Sequence, residues 1–235
     1  MKNDNPPSHS IRSHDSLDSL QEISRFRGID DPEQRIAALE QFLVTHYQPL
    51  DRQYALKQLW ATLLTWDRDR ALTWIDRALA TETSRRGLGT LYTALLEYHL
   101  QHDQREEAVH LAERFYRTGT GNTASLHAVA RLLLNADLGL EWALRLAERG
   151  ARRDEPSDFG GHIKSYCLEA AGLCYLKLGD IPSAKERLET AVEIVKDSDS
   201  QIYANLIEIY KHTGEREKLA EMKKIMLELN KDQNR

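Results

Sequence analysis

Apolar residues recur along this chain at steps of three and four, in runs long enough for helices and separated by glycine, proline and acidic residues. The pattern is fullest from Gly172 to Ala191, which reads Gly-Leu-Cys-Tyr-Leu-Lys-Leu-Gly-Asp-Ile-Pro-Ser-Ala-Lys-Glu-Arg-Leu-Glu-Thr-Ala. Gly179-Asp180 is a stop followed by a start, so two helices are expected on either side of it. Ala184, Leu188 and Ala191 share one face of the second helix and can meet Leu168, Ala171 and Tyr175 of the first. Gly172 permits a close approach there, and Tyr175 fills the space beside it.

A hairpin of two helices leaves one apolar face uncovered, so the pattern must recur if the chain is to bury it. Ala37, Ala71, Ala108, Ala143, Ala184 and Leu219 mark the early part of each second helix, at successive intervals of 34, 37, 35, 41 and 35 residues. Supporting positions follow the markers: Ile75 and Ala78, Ala112 and Phe115, Ala147 and Gly150, and Met226. First helices are predicted around Leu56, Leu59, Trp60 and Leu63, then Tyr92, Leu95, Leu96 and His99, then Leu126, Val129, Ala130 and Leu133, and finally Tyr203, Leu206, Ile207 and Tyr210.

The glycine, tyrosine, glycine and alanine set of Gly172, Tyr175, Gly179 and Ala184 resembles a tetratricopeptide repeat. The resemblance spans about Pro32 to Leu229 in divergent form: Trp60, Leu96 and Ile207 stand where the family usually has a small residue. It implies an all-α, right-handed α-solenoid of about six antiparallel hairpins. An ordinary helical bundle would share the three-four spacing but has no reason to return to one marker about every 35 residues.

Composition narrows the function. The 235 residues are 41% hydrophobic, enough for a continuous core, and 6 prolines with 12 glycines leave little room for β-rich or low-complexity architecture. A formal charge of -5, from 32 basic and 37 acidic residues, supplies no bulk field for nucleic acid or an anionic membrane. No apolar run reaches the roughly 18 residues of a membrane span, and the N-terminus lacks a secretory apolar core. Cys167 and Cys174, about 10 Å apart on one predicted helix, are too distant for a disulfide and are expected to be small core residues. The expected location is cytoplasmic, with a removed leader as the alternative.

Residues 1–16, rich in serine and carrying Pro6 and Pro7, are expected to be a disordered polar tail before a repeat domain at 17–235. Leu17, Leu20, Ile23 and Phe26 step by three into Asp30-Asp31-Pro32, a helix N-terminus; a short docking helix is expected to begin near Ser16. The long 41-residue interval contains Pro156 and Gly160-Gly161, making 152–161 the expected hinge.

In tetratricopeptide proteins the first helices line the concave face, and the resemblance places Glu97, His127, Arg131 and Asn135 there as the candidate partner-binding groove. The last three, four apart, form a ladder suited to a carboxylate or an extended main chain; the same spacing also fits a solvated face bridged to Glu97. The lysine and asparagine set by which some family members clamp a C-terminal carboxylate is not matched, since Ala61 follows Lys57 where asparagine is expected. His99, His102 and Glu106 are the nearest approach to a metal cluster, across a predicted turn, and no metal or cofactor is expected. No nucleophile or acid–base constellation is present, so no enzymatic activity is expected. Arg145, Arg149, Arg152 and Arg153 form a basic run offset by neighbouring acids, which leaves a helical-repeat RNA binder as a remote alternative. Met222, Met226 and Leu229 make an apolar seam on the last helix that would suit a homodimer. The functional expectation is a non-catalytic adaptor or scaffold binding a peptide or helix of another protein. A regulator answering to a peptide or small ligand is the alternative.

Overall fold

A computed structural model describes residues 21–153, 162–196 and 199–232, and among them there is no β-strand. Residues 21–26 are helical and lead into eleven further helices. These are α1 (Pro32–Thr45), α2 (Pro49–Trp66), α3 (Arg68–Thr81), α4 (Arg85–Gln101), α5 (Arg105–Thr118), α6 (Thr123–Asn135), α7 (Leu140–Ala151), α8 (His162–Lys177), α9 (Ile181–Val195), α10 (Ser200–Thr213) and α11 (Arg216–Asp232). The predicted hairpins are therefore α2–α3, α4–α5, α6–α7, α8–α9 and α10–α11, with α1 as the second helix of the first. Among the described residues no helix is long and apolar enough to cross a membrane.

Acidic and amide side chains start several of the helices. Asp31 accepts from the N–H groups of Glu33 and Gln34 at 2.8 and 3.2 Å, with Pro32 at a position where no N–H is needed. Asp67, Asn122, Asp180 and Asp199 cap α3, α6, α9 and α10 in the same way. Gly179 ends α8 at φ +83°, a conformation that disfavours any side chain.

The chain divides into two compact units, with the division between Ala94 and Leu95 inside α4. In the first, Ile23, Ile36, Leu39, Phe42, Leu56, Leu59, Leu63, Ala71 and Ile75 are buried. Ala37, expected as the marker of the first hairpin, is exposed; Ile36 takes the inward place, one residue earlier. Arg52 of α2 holds this unit together on its polar side. It donates to Glu82 from Nη2 at 2.7 Å and to the Leu43 and His46 carbonyls from Nη1 at 2.6 and 3.1 Å. Burial opposes the charge on Glu82, but the hydrogen bonds from Arg52 and Ser84 prevail and hold its carboxyl below the usual range.

The second unit contains the motif-complete hairpin. A Cβ on Gly172 would stand 2.8 Å from Leu188 Cγ and 3.2 Å from the Ala184 carbonyl oxygen, so α8 and α9 approach as closely as the sequence pattern implied. Ala170, Ala171, Cys174, Ala184, Leu188 and Ala191 are fully buried around that contact. Cys167 and Cys174 are buried core thiols not joined in a disulfide, and burial pushes Cys174 up to about 12. Trp60, Leu96 and Ile207, in place of small residues, are all buried. The expected hinge lies mostly outside the described residues, since 154–161 are not among them. Its first two residues are engaged: Arg152 donates to the Glu148 carbonyl at 3.1 Å and Arg153 to those of Gly121 and Gly119 at 2.5 and 3.0 Å.

Candidate functional site

The first helices α6, α8 and α10 of the second unit carry a rank of polar side chains that are tied from one hairpin to the next. Arg131 of α6 lies 3.8 Å from Glu169 of α8, and Asn205 of α10 donates to the same Glu169 oxygen at 2.7 Å. Three successive hairpins are thus joined through one carboxylate that is only 5% exposed. Burial pushes Glu169 above the usual carboxylate range, with Asp199 adding to the rise, while Arg131 and Asn205 oppose it.

His127, one turn before Arg131, has its ring 5.8 Å from that of Tyr166, whose hydroxyl bonds to Asp199. Burial and the nearby Arg131 charge lower His127 to about 4, so at neutral pH it is an uncharged imidazole. Asn135 and Glu97 are exposed, as are Lys177, Glu208 and His212 further along. Lys177 is held by Asp137 at 2.8 Å. Arg131 thus bridges forward to Glu169, whereas the alternative of a solvated face would bridge it to Glu97, and Asn135 and Glu97 present exposed polar heads.

The other candidate clusters are taken up by structure. Arg149 stacks on Tyr116 at 3.7 Å and donates to its carbonyl, Arg145 lies over Trp142 at 4.9 Å, and Arg152 pairs with Glu148 at 3.7 Å. Arg149, with Arg153, thus ties the end of α7 to the preceding hairpin, while Arg145 and Arg152 remain exposed. His99 Nδ1 faces Gln104 Oε1 at 2.8 Å, and His102 Nδ1 donates to the Tyr98 carbonyl at 2.8 Å. Among the described residues no group of three His, Cys, Asp or Glu is placed to hold a metal ion. Met222, Met226 and Leu229 are partly buried against a core of Ala151, Cys167, Leu168, Ala191, Val195, Ile202 and Tyr203.

The arrangement of paired helices is similar to that of solved structures. BtubC (BKLC) from P. vanneervenii has a TM-score of 0.61 over 92% of both chains at 14% identity. YrrB, described as a TPR protein with an unusual peptide-binding site, has a TM-score of 0.53 at 19% identity, covering 76% of this chain and 86% of its own. The fold is that of tetratricopeptide-repeat proteins. Tetratricopeptide-like repeats of a putative kinesin light chain from Podosopora anserina agree, with a TM-score of 0.52 at 19% identity over 81% of this chain and 100% of theirs. No protein-family model and no curated protein sequence matches the chain. Only the Gly172 hairpin keeps the full set of tetratricopeptide positions. The Arg131–Glu169–Asn205 bridge escaped sequence reading as a connected unit, although opposite charges about one repeat apart were its available signal.

Proposed function

We propose that the protein is a non-catalytic interaction scaffold that receives an extended peptide or a helix of a partner protein along α6, α8 and α10. The observation that carries this reading is the Glu169 bridge, which fixes polar side chains on three hairpins before any partner arrives and so lowers the ordering cost of binding. Neutral His127 offers one donor and one acceptor, Asn135 offers an amide, and Arg131 keeps guanidinium donors beyond its long contact with Glu169. Such a mixture suits main-chain amides and uncharged polar side chains better than a polyanion.

The test is selection of peptides by display against the whole chain, followed by affinity measurement with a double variant, Glu97→Lys and Asn135→Arg. Both positions are exposed, so the substitutions leave folding intact by circular dichroism. Selected peptides should lose at least tenfold in affinity, with hydrogen-exchange protection falling on α6 and α8. Unchanged affinity, or no selectable peptide, overturns the reading.

A further inference from the structure

In the first unit α1 and α3 both pack on α2, and between them they leave a cleft of about 270 Å3. Its floor is Leu56 and Leu59 of α2, both buried, and its walls are Leu43 and Val44 of α1 and Trp74 and Ala78 of α3. Each wall is one helical stripe: Glu40 precedes Leu43 and Val44 by three and four residues, and Arg77 follows Trp74 by three. The cleft is smaller than the roughly 300–1,000 Å3 of sites that enclose whole small-molecule ligands, so it holds one or two large side chains.

The charges that line the cleft fall into two kinds. Arg52 and Glu82 answer each other at 2.7 Å, and Glu82 also accepts from the Ser84 N–H at 2.8 Å, so that pair asks nothing of a ligand. Glu40 on the α1 wall and Arg77 on the α3 wall are exposed, and among the described residues neither side chain makes an ion pair or a hydrogen bond. Between α7 and α9, the successive second helices of the other unit, the earlier helix also carries an acid and the later one a base. There Arg187 Nε donates to Glu148 at 2.6 Å, and the two charges satisfy each other. The acid and base flanking the α1–α3 cleft are left for another molecule.

We propose that this cleft docks an amphipathic helix of a partner protein. Large apolar side chains one turn apart on that helix enter between Val44 and Trp74, a basic residue on one flank meets Glu40, and an acidic residue on the other meets Arg77. The opposite charges of the two walls select this occupant: a helix with acids on both flanks, or bases on both, sets a like charge against one wall and is rejected. An uncharged apolar segment leaves both charges unanswered. The cleft is built by α1 to α3 alone and does not depend on the reading of α6, α8 and α10 above.

The experiment selects displayed helical peptides, as long as the 14-residue walls and randomised at the apolar seam and both flanks, against the full native chain and against Arg77→Glu. Position 77 is exposed, so the substitution leaves the fold unchanged. The native chain should enrich large apolar residues with an acid on one flank and a base on the other, and Arg77→Glu should enrich bases on both. A peptide chosen by the native chain should bind Arg77→Glu at least about fivefold more weakly. Ala78→Trp fills the cleft and should weaken that peptide at least about tenfold. Val44→Asp, at a position 63% exposed, repeats the test without touching the core. No retained peptide, the same flanks from both selections, or affinity unchanged by both cleft variants overturns the proposal. Peptides that survive the cleft variants but are lost with Glu97→Lys, Asn135→Arg report the α6 to α10 face, so this docking site fails while the earlier reading stands. A doubled sedimentation mass of the native chain alone, returned to that of one chain by Val44→Asp, also overturns it by making a second copy the occupant.

Discussion

Gly172→Ala is the sharpest test of the packing that defines this fold. The added Cβ would lie 2.8 Å from Leu188 Cγ, about 1 Å inside ordinary carbon contact, and 3.2 Å from a main-chain oxygen that cannot swing away. Overpacking of this kind costs about 1–3 kcal/mol, and the better helix propensity of alanine returns about 1 kcal/mol, leaving a net loss of about 0–2 kcal/mol. Leu188→Ala alone opens a cavity and costs about 3 kcal/mol. Combined, the two should cost about 1 kcal/mol less than their sum, because the truncated side chain makes room for the new methyl. Hydrogen exchange of α8 and α9 amides reads these values at tenfold per 1.4 kcal/mol, against α2 amides as the internal reference. Additive or worse-than-additive losses would refute the claim that Gly172 exists to admit Leu188.

Three further outcomes follow from the charged groups. His127 is lowered from 6.5 to about 4 in the folded protein, so its contribution is intact above 6.5 and is lost as pH falls toward 4, by up to about 3 kcal/mol; an NMR titration of its ring protons should show a midpoint near 4, and His127→Gln should remove this share of the acid sensitivity. Glu82, held below its ordinary value, contributes stability that is present above pH 4.5 and lost on acidification below it, whereas Glu169, raised by burial, acts in the opposite direction. Exchange measured across that range should therefore rise in the first unit of a native chain and rise less in a Glu82→Gln variant. Arg52→Ala leaves Glu82 buried without its partner and frees two carbonyls; a loss of roughly 3 kcal/mol, or about a hundredfold faster exchange in α1 to α3, is expected.

The hairpins were legible because their determinants are local. Gly172, Gly179-Asp180 and Ala184 act within one turn of each other, and period alone separates a repeat array from a bundle. The first hairpin slipped by one residue because Ile36-Ala37-Ala38-Leu39 contains two alanines beside an isoleucine, and volume, not smallness, decides which faces inward. The candidate site was half legible. Exposure of Asn135 and Glu97 followed from helical phase, but the choice of Glu169 over Glu97 as the partner of Arg131 depends on which neighbouring first helix lies closer, and no residue pattern within a single repeat encodes that distance. The anchoring of the arginine run was hidden for the same reason: Arg149 finds the Tyr116 carbonyl in the last turn of α5 and Arg153 the Gly121 carbonyl just beyond it, over 30 residues away.

The two sides of the C-terminal hairpins differ in what joins them. On the first-helix side the joint is a carboxylate shut away from solvent, whereas α9 and α11 are joined by Lys185 with Glu215 at 2.7 Å and Lys218 with Glu189 at 2.9 Å, all partly exposed. Mobile ions reach the second set and not the first. Ionic strength therefore acts on this end of the molecule as a lever with a fixed fulcrum: raising salt should free α11 along its charged edge, seen as faster exchange there with α8 unchanged, and the terminal hairpin would open about the Glu169 joint and not peel off whole.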